Sequence, residues 1–379
     1  MISEPTYQAA RIVASTIEAH FAHQLQAIVS TDEDFAPLPE AYLIEAIIDV
    51  AFWASLRKEE GRSPKISIAF LSPEKSAQPL IFGKRLKFTT DIIVKLAPAI
   101  ETQGIHLGVW HTGDELYIWG TTRFVPGFCF ICEVIEPGLL VIKHRRLSGF
   151  GKFVNVAVLK GDQIKVIDER SNEKPDCPAM VTSLLGFNDP SSWNRSMNIH
   201  VQLAVAMRAH GRGGILLIVP SDDNNWRESI ISPITYQLTP EFCGLSDLLS
   251  QEVSRHDLST WQEELNRSVE NLAGLTAVDG ATLMNDRHEL LAFGAKITRS
   301  PKGQRIERIM VTEPVIGVEP RIIHPGQDGG TRHLSAAQFV FDQRDAIAMV
   351  ASQDGRFTIF AWSECEDIVH AHRVDSLLL

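Results

Sequence analysis

Two stretches near the C-terminal end of this chain hold residue types that could handle a phosphate. The first is LTAVDGATLMND at 275–286, in which an acid on a predicted strand runs into a glycine turn. The second is DGGTRHLSAAQFVFDQRDAIAMVASQDGRFTIF at 328–360, a Gly-rich loop leading into a helix-compatible segment and then a strand hairpin. Gly329 and Gly330 allow positive φ and close approach of a ligand to the backbone. Thr331, Arg332 and His333 offer a hydroxyl, a guanidinium fork and an imidazole. LSAAQFVF behind them predicts that this triplet opens a helix, where free amides and the macrodipole favour an anion. Asp279, followed by Gly280 and Ala281, could hold a hard divalent cation such as Mg²⁺ or Mn²⁺. An acid with a metal, facing a phosphate cradle, predicts phosphoryl or nucleotidyl transfer. Taken singly, each motif has a plainer reading, since Asp-Gly is commonly a turn and Gly-Gly a loop.

In order and framing, DGA at 279–281, GTRH at 330–333 and an apolar strand ending in Ser352 resemble the diadenylate cyclase (DAC, or DisA-N) domain family. HVQLAVAMRAHGRGGILLIVPS at 200–221 is similar to that family's opening helix and strand, so the resemblance spans roughly residues 195 to 362. It implies that two ATP molecules, one on each of two domains face to face in a homo-oligomer, condense into cyclic di-AMP. Carried over residue by residue, Asp279 would bind the metal and help activate the 3′-hydroxyl, and Gly280 and Ala281 would line the nucleotide. Thr331, Arg332 and His333, after Gly330, would hold the phosphates, with Ser352 a further phosphate contact.

Departures from the family pattern accompany the likeness. Leu334 stands where a second arginine is usual, Val278 where a histidine is frequent, and Gln353 replaces a carboxylate in the late hairpin. A lost arginine–phosphate contact costs about 1.5–3 kcal/mol. Arg344 could compensate, although it reads first as a solvated turn residue. The alternatives are therefore a catalytically weak or inactive nucleotide sensor, or a nucleotidyl transferase making another product.

Composition sets outer bounds. The 379 residues, 44% hydrophobic, suit two or three domains with ample core. A formal charge of −11 argues against a general nucleic-acid-binding surface, which needs a basic footprint. No apolar run reaches a membrane span, and MISEPTYQAARIV lacks a secretion-signal pattern, so a cytoplasmic protein is expected. Five cysteines form no obvious disulfide framework, and Cys129 and Cys132 sit in what reads as a buried strand.

The supporting elements follow from periodicity and predict an α+β (mixed α/β) chain. Helices are expected over 7–29 and 40–58 from apolar residues at three- and four-residue spacing, with His20 and His23 solvated. From residue 65 the period becomes two, and strands with turns between them run to a hairpin over 154–168 that turns at Lys160-Gly161-Asp162. GIHLGVWHTGDELYIWG reads first as an ordinary hairpin, with a distant internal echo of the cyclase fold as the alternative. Trp110, His111, Asp114, Trp119, Arg123, His144, Arg145 and Arg146 could build a ligand pocket, although strand aromatics are commonly core. SGFGKF at 148–153 lacks the spacing of a P-loop.

Residues 1–170 are thus expected to form a sensor or regulatory domain, open to a small-molecule effector, and the likeness to sensor-type domains that precede cyclase domains supports this. Residues 171–194 read as a Pro- and Ser-rich linker, 195–365 as the cyclase-like domain and 366–379 as a tail. Within the cyclase-like domain, helices are expected at 195–210 and 245–272.

Overall fold

The computed structural model describes residues 5–26, 35–102, 104–145, 153–168, 181, 195–251 and 258–379. The chain divides into two compact units, Met1–Asp168 and Glu169–Leu378, with Leu379 grouped with the first. Apart from Val181, the expected linker at 171–194 lies outside the described residues, as do Cys177, Arg146 and the 148–152 segment. Both units combine helices with one large mixed sheet, the α+β class that the periodicity predicts.

The first unit opens with α1 (Gln8–Gln26) and α2 (Ala41–Ser55), whose apolar stripes bury Val13, Ile17 and Phe21 on one and Leu43, Ile44, Ile47 and Ala51 on the other. Eight strands follow: β1 (Ile66–Phe70), β2 (Leu80–Lys87), β3 (His106–Thr112), β4 (Glu115–Thr122), β5 (Phe130–Glu136), β6 (Leu139–Arg145), β7 (Phe153–Lys160) and β8 (Gln163–Val166), with helix α3 (Thr90–Leu96) between β2 and β3. Their order across the sheet is β2-β4-β3-β1-β5-β6-β7-β8. β7 and β8 form the expected hairpin.

In the second unit, α4 (Arg195–Ala209) leads into β9 (Gly214–Val219), and β10 (Tyr236–Phe242) follows. The expected helix at 245–272 is instead two, α5 (Gly244–Ser250) and α6 (Leu258–Leu275), with 252–257 outside the described residues. Next come β11 (Ala281–Asn285), β12 (Leu290–Ala295), β13 (Ile309–Thr312), β14 (Arg321–Ile323), the short α7 (Pro325–Asp328) and α8 (Thr331–Asp342). β15 (Ile347–Ala351), β16 (Phe357–Ser363) and β17 (Ile368–Arg373) complete a nine-stranded sheet ordered β10-β12-β11-β9-β15-β16-β17-β13-β14. The segment expected as a tail is therefore structural, because β17 lies between β16 and β13. Val369 and Ala371 on it are fully buried, and polar His370 and His372 hid that strand from the sequence pattern.

Alternation along the central strands explains where the core sits. Ile215, Leu217 and Val219 of β9 cluster with Ala336, Ala337, Phe339 and Val340 of α8. Leu216 and Ile218 are buried on the opposite face. Such strands read as continuous apolar runs because both faces are covered.

The two sheets share a topology. In each, seven strands occur in the same chain order and the same spatial order, β2-β4-β3-β1-β5-β6-β7 in the first and β10-β12-β11-β9-β15-β16-β17 in the second. Pairing directions agree throughout: β1 with β3 and β9 with β11 are parallel, and the remaining five neighbouring pairs of each set are antiparallel. The hairpin read first as ordinary, β3–β4, therefore stands where β11–β12 stands in the second unit. The main difference is an insertion between the fourth and fifth shared strands, where the second unit carries β13, β14, α7 and α8 and the first has only residues 123–129.

Candidate functional site

The strand registers gather the chemistry-bearing residues of the second unit at one end of its central strands. Ala281 at the start of β11 lies beside Ile215, one residue into β9. Ala351 at the end of antiparallel β15 lies opposite Gly214. Asp279-Gly280, Gly213 and Ser352 each adjoin one of these three strand ends, so the fold itself brings them together.

Backbone crowding explains the glycines there. Gly280 has φ +116°, and a Cβ on it would lie 2.5 Å from the Gly294 carbonyl carbon, a contact no side chain survives. Gly214 is pressed against Thr276, whose carbonyl oxygen would be 2.3 Å from an added Cβ. That oxygen belongs to the turn leading to Asp279, which is tied by Thr276 Oγ1 donating to the Ala273 carbonyl at 2.6 Å. The Asp-Gly pair is thus a turn between α6 and β11, not part of the strand, and the turn presents Asp279 to solvent with 92% of its side chain exposed.

Lys296, one residue beyond β12, reaches this acid, with Nζ 2.5 Å from Asp279 Oδ2. Its hydrogen bond and charge, with Arg332 adding to them, hold the Asp279 carboxyl below its ordinary range. Arg332 comes from the first turn of α8, and its Nη1 would be 3.0 Å from a Cβ on Gly213. Gly330 caps α8 with no side-chain bond to the helix, and Thr331 is exposed beside it, so first-turn amides remain for a ligand. Ser352 is half-buried at the mouth of the β15–β16 hairpin, its amide donating to the Arg356 carbonyl at 2.9 Å.

His333 departs from its expected place among the phosphate ligands. Its ring is buried, with Nε2 3.3 Å from Thr358 Oγ1 and its edge toward Phe360. Burial lowers its pKa, against the opposing pull of Asp328, so the ring is a neutral core group. The cause is helical geometry: successive residues turn about 100°, so with Arg332 turned toward Gly213, His333 turns inward. Leu334 is also partly buried against the core. Arg344 precedes β15, at the end away from Ser352, where it stacks on Trp362 at 3.8 Å and pairs with Asp367 at 3.7 Å. It does not supply the missing cation.

A divalent cation fits this site only in a restricted sense. Among the described residues no group of three or more His, Cys, Asp or Glu side chains could hold a metal by itself. Mg²⁺ is often held by one or two carboxylates together with water and substrate phosphates. Asp279 suits that role as a single protein ligand to a cation accompanied by phosphate.

Sequence reading missed Lys296, Gly213, Gly214 and Gly294. A glycine inside a strand pattern, as Gly294 is in LLAFGA, signals close backbone approach. Lys296 carries no such signal, because only the β11–β12 pairing sets it across from Asp279.

In the first unit several of the suggested pocket residues are packing groups, and Trp110 and Trp119 share one apolar cluster with Val125. Trp119 is core, its Nε1 donating to the Leu71 carbonyl at 2.7 Å, and His144 is buried against Phe128. Trp110 packs on Phe70 with ring centres 4.8 Å apart. Cys129 and Cys132 are buried free thiols whose pKa values burial raises, which leaves them inert. His20, expected on a solvated face, is half-buried, and burial together with His144 pushes it down to about 4.

A family profile described as "Probable sensor domain DACNV" matches residues 33–123, from before α2 through β4. The first unit thus carries a sensor-type domain. No curated protein matches the chain. A solved structure described as a hypothetical membrane spanning protein from Bacillus cereus aligns at 13% identity over 51% of this chain and 70% of its own, with a TM-score of 0.27. No helix among the described residues is long and apolar enough to cross a membrane.

Proposed function

We propose that the second unit is a diadenylate cyclase domain, condensing two ATP into cyclic di-AMP and two pyrophosphates under control of the sensor-type first unit. The observation that carries this reading is the meeting of Asp279, Arg332, the free N-terminus of α8 and Ser352 at one end of the central strands. Cationic and amide donors there would bind the triphosphate, with the carboxylate of Asp279 beside it. The openness of Asp279 also supports a half-site completed by a second copy facing it. Each 3′-hydroxyl then attacks the other nucleotide's α-phosphate, so that each P–O bond formed expels one pyrophosphate. A divalent cation held by Asp279 and the phosphates would neutralise charge building on the reacting oxygens.

A second reading, a nucleotide sensor with weak or no turnover, is favoured by two observations. Lys296 occupies the Asp279 carboxylate, and Leu334 gives α8 no second cation. Incubation of the full chain with ATP and Mn²⁺ or Mg²⁺, with products resolved by chromatography and mass spectrometry, separates the two. Cyclic di-AMP supports the cyclase, a different cyclic dinucleotide redirects the chemistry, and saturable ATP binding without product supports the sensor.

A further inference from the structure

Lys296 has no counterpart in the motifs that suggested the site, yet it makes the shortest contact to the central acid. Its backbone is held in place: the Lys296 carbonyl accepts from the Ile231 amide at 2.8 Å, and neighbouring Ile297 bridges Ile230. One carboxylate therefore faces two cations, Lys296 in contact and Arg332 acting through space. A bare divalent cation meets net positive charge there, whereas an anion is drawn in.

Resting on the nucleotide-site reading above, we propose that Lys296 is an electrostatic latch that makes divalent-cation binding at Asp279 conditional on a nucleotide. With the site empty, the ammonium occupies the carboxylate and repels a free cation. When a nucleoside triphosphate arrives, its phosphates take the ammonium and Arg332, and Asp279 becomes free to accept the cation that travels with them. The ammonium moves from carboxylate to phosphate, and no covalent bond changes. Both Lys296 and Asp279 are exposed, 53% and 92%, so the resting pair is weak enough to exchange. The latch also supplies, from just beyond β12, the second cation that α8 lacks at position 334.

The test uses the full-length chain, Mn²⁺ as the cation and α,β-methylene-ATP as a nucleotide that cannot be cyclised. Free Mn²⁺ is followed by electron paramagnetic resonance, with and without the analogue. Wild type should bind Mn²⁺ weakly alone and tightly with the analogue. Lys296→Met should tighten binding of Mn²⁺ alone about tenfold, the scale of removing one charge near an exposed site. Lys296→Arg should behave as wild type, and adding Asp279→Asn to Lys296→Met should erase the gain. Equal Mn²⁺ affinity in wild type and Lys296→Met, or a gain that survives Asp279→Asn, would overturn the latch. The arm with Mn²⁺ alone reads the Lys296–Asp279 pair whether or not the protein makes cyclic di-AMP. Absence of product from wild type with ATP therefore strikes the cyclase reading separately.

Discussion

At the scale of single residues, the site depends on which way neighbouring side chains turn. Asp279 is displayed by a glycine-bounded turn, Arg332 lies against Gly213 just before β9, and His333, one residue later, is buried. Asp279→Asn keeps the volume and removes the charge, so cyclic di-AMP formation should fall by roughly 100-fold or more, in line with several kcal/mol of charge stabilisation from a metal. Unchanged turnover in that variant, with an unaltered circular dichroism spectrum, would remove Asp279 from the mechanism. Arg332→Ala should weaken binding of α,β-methylene-ATP by about 10- to 150-fold, corresponding to the 1.5–3 kcal/mol of a charged hydrogen bond. His333→Ala should instead lower stability, read by urea unfolding, because the ring fills core space.

Elements decide what this end of the central strands can hold. α8 supplies the helix end proposed above to face phosphate and, through Phe339 and Val340, part of the core beneath it, so both would share one helix. On the other side of the site, Gly280 lets the Asp279 turn cross the end of β12. Gly280→Ala should destabilise the second unit by about 1–3 kcal/mol through backbone strain, with thermal unfolding as the check. α4 contributes a pH dependence of its own. Its His200 is buried beside His288, and burial, then the charge of His288, pushes it down to about 3. An unfolded imidazole protonates near its ordinary pKa of about 6.5. The unfolded chain therefore takes up a proton that the folded chain refuses, and stability is full above pH 6.5 and lost as pH falls toward 3. His200→Gln should flatten that acid slope, shrinking the stability difference between pH 7 and pH 5 by roughly 2 kcal/mol. An unchanged slope in urea unfolding would place the acid sensitivity elsewhere.

For the whole molecule, the shared seven-strand topology makes the chain two versions of one fold with different equipment. The first version lacks the insertion that carries α8, and with it the helix end proposed to face phosphate. Calorimetric titration should therefore count one α,β-methylene-ATP per chain, and a count of two would place a nucleotide site in the first unit as well. If two second units must face each other, cyclase activity should rise faster than linearly with protein concentration at high dilution. Strict proportionality down to a monomer shown by light scattering would rule out face-to-face catalysis.

The sequence by itself determined the fold class and most helices and strands, and it singled out the Asp279 and Thr331–Arg332 stretches as candidates. Each of those rests on local periodicity or on residue type at short spacing, which a chain carries without its partners. Only the tertiary structure decided the rest. It buried His333, set Lys296 on Asp279, moved Arg344 to the far end of β15 and made β17 an inner strand. The likeness of the two sheets, only an alternative reading of one hairpin in the sequence, was decided there, because strand order is set by pairings between segments distant in sequence, while many different apolar residues can satisfy the same buried positions.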